Sequence, residues 1–282
     1  MKTKHTGNRI DIDEQKRIEL EILNYIVEFC AKNDIKCSIA YGSLIGAIRH
    51  DGFIPWDDDI DILMLREDYE RFRSLFLNSK TDKYYLIDGD SDKKYPFPFI
   101  KICDNRTILY ERNMNYSFNG IYVDIFPLDH LPVNEKKWTN GVKKLLLLHN
   151  LMGVKIRKRL TRSTFLKTVF SDILYICLKI IPLSVLKKAI KLQIHSLSKE
   201  PSEFVGNITT GAYIRKERFD VQLFDKMICH QFENILVPIP KEYDTILQKI
   251  YGDYMQLPPE EKRVFRHGTE CFWKDNEQLR CN

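Results

Sequence analysis

The chain moves between two hydrophobic rhythms. From residue 11 to 33, Leu20, Ile22, Leu23, Ile26, Val27 and Cys30 recur at helical spacing, with acids on the other face. Such a stripe predicts an amphipathic helix laid on a core. Residues 36–41 form a short apolar run that reads as a strand. Helical spacing returns from Glu67 to Asn78, where Tyr69, Phe72, Leu75 and Phe76 fall on one side. Strand-like runs then take over at Tyr84–Ile87, Pro98–Cys103, Thr107–Tyr110 and Ile121–Phe126. Residues 11–133 therefore read as an α/β unit.

The next stretch, residues 134–219, has a different texture. Between residues 141 and 198 there are twelve Lys or Arg and a single acid, Asp172, mixed with aliphatic runs such as Leu145 to Leu148. This predicts a basic helical region. Asp172, Lys179 and Pro182 interrupt its apolar runs, which fall short of the ~20 clean residues of a membrane span. Either it packs on the α/β unit with a basic outer face, or that face meets an anionic bilayer. Nucleic acid is not expected, because the cations come with aliphatics and not with stacking aromatics. Residues 220–282 return to short elements, broken at Pro238 and Pro240, and read as a C-terminal segment packing on the core.

The chemistry concentrates between the first strand and the second long helix. Tyr41-Gly-Ser-Leu-Ile-Gly-Ala-Ile-Arg-His50 is followed by four aspartates within five residues, Asp57, Asp58, Asp59 and Asp61. If a strand begins that early, Asp57, Asp59 and Asp61 share one face while Ile60 and Ile62 point into the core. The Ile-Asp-Ile alternation makes Asp59 and Asp61 the firmer pair. Hard carboxylates on one face suit Mg²⁺ or Mn²⁺. An acidic turn capping Ile60 is the plainer reading, but four acids exceed what one cap needs. Gly42 and Ser43, at a strand-to-helix turn, suit a phosphate, which backbone N–H groups and a helix start favour.

Composition narrows the setting. The chain has 282 residues, 44% hydrophobic and 29% charged, with a net charge of +5, as expected of a soluble globular protein. Its seven cysteines are odd in number and include no Cys-x-x-Cys pair, which favours reduced thiols in the cytosol. The polar start, Met1 to Ile10, lacks an apolar signal core. Cys229, His230, His267 and Cys271 lack the paired spacings of a zinc site.

A Gly-Ser turn followed by an Asp-x-Asp strand resembles the nucleotidyltransferase superfold, which implies an α/β (α+β) fold with a mixed sheet and flanking helices. That resemblance implies a third metal carboxylate on a neighbouring strand, and Asp124, between Val123 and Ile125, is the candidate. The likeness narrows further. Tyr41 to His50, Gly52 to Asp61, Phe99-Ile-Lys101, Tyr122-Val-Asp-Ile-Phe-Pro127, Phe232-Glu-Asn234 and Tyr251 to Arg263 resemble the blocks of the LicD family, in its order. The resemblance implies transfer of a phospho-alcohol from a cytidine diphosphate donor to a glycan hydroxyl: phosphocholine from CDP-choline in bacteria, ribitol phosphate in fukutin-type relatives. Glycerol and ribitol phosphate stay open as cargo. So does a nucleotidyltransferase that moves the nucleotide itself onto a sugar or protein.

Under the family reading, Asp59, Asp61 and Asp124 hold the metal and act in catalysis, with Asp57 as a further ligand. Gly42, Ser43, Arg49 and Lys101 meet the donor phosphates. Trp56 is the best single candidate to cage a quaternary ammonium, with Tyr110 and Tyr122 weaker ones, and Arg263 is the candidate from the late block. The expected acceptor is a cell-surface glycan such as teichoic acid or lipopolysaccharide, or its lipid-linked precursor. The expected place is the cytoplasm or the inner face of the membrane.

Overall fold

The computed structural model of the chain describes residues 7–79, 81–111, 114–118, 120–158, 179–265 and 268–275. The first half runs β1 (Arg9–Ile10), α1 (Ile12–Lys32), β2 (Ser38–Ile39), α2 (Tyr41–His50), β3 (Asp61–Leu65), α3 (Arg66–Leu77) and β4 (Tyr84–Ile87). Then come β5 (Ile100–Asp104), β6 (Thr107–Glu111), β7 (Ser117–Phe118) and β8 (Tyr122–His130). Two helices follow, α4 (Glu135–Ile156) and α5 (Leu183–Leu197), then β9 (Phe204–Gly206) and β10 (Phe219–Asp220). A hairpin of β11 (Met227–Phe232) and β12 (Ile235–Pro240), α6 (Tyr243–Tyr251) and β13 (Thr269–Trp273) complete the chain. This is the mixed α/β architecture expected of a nucleotidyltransferase-like fold.

The central sheet has the order β10-β9-β8-β3-β2, with β5 also pairing with β8 and β4 lying beyond it. Only the β3–β8 pair is parallel among these neighbours. Strand alternation sends the two faces into different cores. Ile62 and Ile125 are register partners and pack with Ile18, Ile22 and Ile26 of α1 and Phe72 of α3. Leu63 and Phe126, also partners, pack on the other side with Val205, Phe219 and α6's Ile246 and Ile250. A third cluster joins α4 to α5 through Trp138, Leu145, Ile190 and Ile194.

Three features depart from the local sequence pattern. β8 continues past Phe126 to His130, because Asp129 and His130 pair with Gly206 and Val205 of β9. That partner is distant in sequence and leaves no local trace. The face of α1 that meets the core is not purely apolar, since Gln15 and Glu19 are buried in it. β9 and β10, which follow the basic helices in the chain, extend the central sheet.

Asp11 starts α1 as its cap, accepting the Glu14 N–H at 2.9 Å. No described helix is long and apolar enough to cross a membrane. Arg159, Asp172, Val169, Phe170 and the apolar run 173–178 of the basic segment lie outside the described residues, as do Cys177, His267 and Cys281.

Candidate functional site

The parallel pairing of β3 and β8 decides the geometry. Asp61 is the register partner of Asp124, so both side chains stand on one face, next to each other. On the other edge of β8, Lys101 of β5 is the antiparallel partner of Asp124. Asp61, Asp124 and Lys101 therefore form a row across three neighbouring strands. Lys101 is buried and ion-pairs with Asp124. Backbone bonds fix the row: Asp124 N–H to Ile60 O at 3.0 Å, and Ala40 N–H to Asp61 O at 2.9 Å.

The strand begins at Asp61, so alternation does not reach back to Asp57 and Asp59 as the early-strand reading required. These aspartates are gathered by a loop instead. One carboxylate oxygen each from Asp57, Asp58 and Asp59 lies within 4.8 Å of the others. Ile60, fully buried, anchors the loop to the core. Burial pushes the Asp61 carboxyl well above the usual range, and Asp59, Asp124 and Asp57 push it further. Asp124 is raised to about 6 by burial, against the pull of Lys101 and with a further push from Asp59.

Gly42 and Ser43 lie within the first turn of α2, not in a turn before it. A side chain at Gly42 would collide with the Asp57 carboxylate. The Ser43 hydroxyl accepts the Asp61 N–H at 3.0 Å. Both residues thus shape the acidic loop, and both stand at a helix start that favours negative charge. Tyr41 enters that helix with φ of 48°, a strained value for a residue with a side chain. A clamp sits at the other end of α2. A side chain at Gly46 would strike the Gly52 carbonyl, and one at Gly52 would strike Glu233. Glu233, at the tip of the β11–β12 hairpin, accepts the Phe53 N–H at 3.0 Å and donates its own N–H to Asp51 O at 2.7 Å. The Phe232-Glu-Asn234 block is this clamp.

Arg49, Trp56 and Arg263 come together as a cationic corner. Arg49 donates to Tyr254 O at 2.7 Å, which ties α2 to the late block. Arg263 lies 5.5 Å from the Trp56 ring, and His50 meets the same ring edge-on. Burial lowers the pKa of Arg49, and the like charge of Arg263 lowers it further. Such a corner favours an anion. It also means that the Trp56 ring has an arginine of the protein beside it. Tyr122 is similarly engaged: the Lys101 ammonium sits 3.4 Å from its ring centroid, and its hydroxyl donates to Glu111 at 2.9 Å. Tyr110 packs against Phe272.

Two buried acids went unnoticed in the sequence. Glu19 accepts a hydrogen bond from Gln15, which also donates to Asp58 O. Burial, then Asp59 and Asp58, hold its pKa well above the ordinary value. Glu217 is fully buried and accepts the Tyr41 hydroxyl at 2.7 Å, while Asn207 donates to that same hydroxyl at 2.9 Å. Burial raises Glu217 to about 8, opposed by the Tyr41 hydrogen bond. Tyr213 lies between Tyr41 and Tyr251, 5.9 and 5.1 Å from their ring centroids. A lone glutamate between Lys216 and Arg218 carries no sequence signal. Tyr251, in a quoted block, did carry one.

Buried carboxylates that raise each other's pKa form a set of hard oxygen donors which a divalent cation would relieve. The residues present fit Mg²⁺ or Mn²⁺.

A helix start at Gly42-Ser43, an acidic approach to β3 and a third aspartate on its parallel neighbour define a nucleotidyltransferase-type site. Residues 34–173 match the family model described as LicD/FKTN/FKRP, nucleotidyltransferase domain. The chain is similar to the lipopolysaccharide cholinephosphotransferase LicD of Haemophilus influenzae, 30% identical over 271 residues, covering 94% of this chain and 98% of that protein. It also resembles an uncharacterized protein of Rickettsia typhi, 38% identical over 90 residues and 29% of each chain. The chain belongs to the LicD family of phosphotransferases.

Proposed function

We propose that the protein transfers phosphocholine from CDP-choline to a hydroxyl of a lipid-borne surface glycan, of the lipopolysaccharide or teichoic acid kind, and releases CMP. The observation that carries this is the Asp61–Asp124 register pair beneath the acidic loop, with Lys101 at its side. The cholinephosphotransferase similarity over nearly the whole chain supports the choice of cargo and glycan.

Asp59, Asp61 and Asp124, with Asp57, would hold Mg²⁺ or Mn²⁺, which when bound neutralises the diphosphate and stabilises charge on the leaving oxygen. Arg49 and Arg263 add positive charge for the donor phosphates, and the α2 start offers N–H groups to them. The acceptor oxygen attacks the phosphorus that bears choline, and its proton passes to a carboxylate oxygen of Asp124. The bond from that phosphorus to the CMP oxygen breaks, and the electron pair leaves with CMP. Lys101 orients Asp124 for this role. The reaction belongs in the cytoplasm, at the inner face of the membrane where a lipid-borne acceptor is presented.

The test incubates the protein and a glycan extract with Mg²⁺ and, separately, CDP-choline, CDP-glycerol and CDP-ribitol. CMP release with CDP-choline alone is expected. Release only with a polyol donor would replace the cargo. Pyrophosphate release from CTP, with none of the three consumed, would replace the reaction by nucleotidyl transfer.

A further inference from the structure

A cavity of about 680 Å³ opens between α3 and α5, away from the aspartate row. Its floor is apolar, built from Phe97, Phe99, Ile190 and Ile194. The α3 side carries the acids of the cavity: Glu67 and Glu70 line it with Asp88, Asp90 and Asp129, and its two arginines are engaged in ion pairs. Arg66 binds Asp129 through two bonds of 2.8 and 2.7 Å, and Arg73 binds Asp88 and Asp90 at 2.6 and 2.8 Å. The α5 wall is basic. Lys188, Lys191 and His195 line it from the helix, at steps of three and four residues that place them along one side, and Lys199 follows just past the helix end. All four are exposed, and among the described residues none of the three lysines forms an ion pair. Ile180, just before that helix, and Val185, in its first turn, are exposed aliphatics, 79% and 52% accessible.

An apolar floor beneath unneutralised cations selects for two chemistries in one molecule. Inorganic phosphate would use the lysines and leave the floor wet. A neutral glycan would use neither. We propose that this groove seats one anionic amphiphile, an aliphatic chain with a phosphate head, its chain on Phe97, Phe99, Ile190 and Ile194 and its head against Lys188, Lys191 and Lys199. Asp129 and His130 line the groove, and Asp124 lies five positions upstream on β8, roughly 16 Å at about 3.3 Å per residue. Phe97 and Phe99 lie 5.6 and 5.5 Å from the Lys101 ammonium, so the floor of the groove backs onto the aspartate row. The groove would hold the lipid end of the acceptor. That role rests on the reaction proposed above; the binding does not.

Calorimetric titration with dodecyl phosphate below its micelle threshold tests the site. Dodecyl maltoside and inorganic phosphate serve as the tail-only and head-only arms. The wild type should bind one dodecyl phosphate and bind the other two at least about tenfold more weakly, as expected if head and chain both contribute. The exposed triple variant K188Q/K191Q/K199Q should lose roughly tenfold or more in affinity. Ile194→Trp, which fills the floor, should lose binding with the lysines intact. Equal binding by wild type and triple variant overturns the proposal. So does equal binding of maltoside, or of phosphate alone. CMP release by the triple variant with a soluble acceptor should stay at the wild-type level, a readout that reports on the donor reaction and not on the groove.

Discussion

β8 carries two acids at its ends, and their surroundings are opposite. Asp129 is 2% exposed, and both its oxygens receive hydrogen bonds from Arg66, which also reaches Glu70 at 3.1 Å. Asp124 meets Lys101, but Asp59 and Glu111 also act on it and Asp61 stands beside it in register. The side chain of Asp129 is 2% exposed and that of Asp124 13%, so burial separates them only in part. The balance of neighbouring charge does the rest. A neutralised pair at one end is built for stability, and a surplus of carboxylate at the other is built to be completed by something positive.

The largest test of this contrast removes the surplus. Asp61→Asn and Asp124→Asn, and Asp59→Asn with them, should each leave a folded protein by circular dichroism. CMP release should fall by about a thousandfold or more, on the order of 4 kcal/mol of transition-state stabilisation. Chelation of divalent metal should give the same loss in the wild type, reversed by added Mg²⁺. Substantial activity in any of the three variants would break the contrast.

The opposite end should answer with stability. Arg66→Leu leaves Asp129 buried and unneutralised. Arg66 is 28% exposed, so the expected loss is reduced to about 2 kcal/mol, read from urea midpoints. CMP release per folded molecule should hold. A variant of unchanged stability but lost transfer would move Arg66 into the site.

Glu217 sharpens the picture through pH. Its folded pKa of about 8 lies above the ordinary glutamate value of 4.5. The proton is therefore bound more tightly in the folded state. The contribution is complete below the unfolded pKa and is lost as pH rises through the folded one. Glu217→Gln removes this dependence. Its urea midpoint relative to wild type should rise between pH 5 and pH 9, by no more than a few kcal/mol of relative stability. A constant difference would show that Glu217 is not held neutral.

Much of this site was legible in residues 41–62, because the information there is local. Asp59, Asp61, Gly42 and Ser43 announce themselves by spacing, and Ile60 and Ile62 by alternation. Asp124 needed the family resemblance, since an aspartate between two apolar residues is ambiguous. What stayed hidden depends on contacts between distant segments. Glu19 sits in a helix whose periodic stripe suggested acids outside. Glu217 is buried against Tyr41, 176 residues away in sequence. The place of Lys101, a donor-phosphate contact under the family reading, is fixed by β5 pairing with β8, which sets it beside Asp124.

The smallest expected effect concerns the basic segment. Replacing Arg157, Lys158 and Arg159 with Gln should weaken binding to anionic vesicles several-fold at low salt, at about 1 kcal/mol or less per charge. Transfer to a soluble acceptor should not change. Equal recovery of both proteins on neutral and anionic vesicles would leave the cations as a solvated surface.

The parallel pairing of β3 and β8 has a consequence for how the enzyme is made. Parallel neighbours cannot be joined by a tight turn, and here α3 and four strands intervene. During synthesis the acidic loop emerges long before Asp124 and Lys101. A chain stopped before β8 holds the repelling aspartates without the strand that aligns them. Ordering of the row waits on a long-range closure, the kind of event that slows folding. A truncated protein should therefore lack a half-working site, and acquisition of metal-dependent transfer should coincide with completion of the sheet.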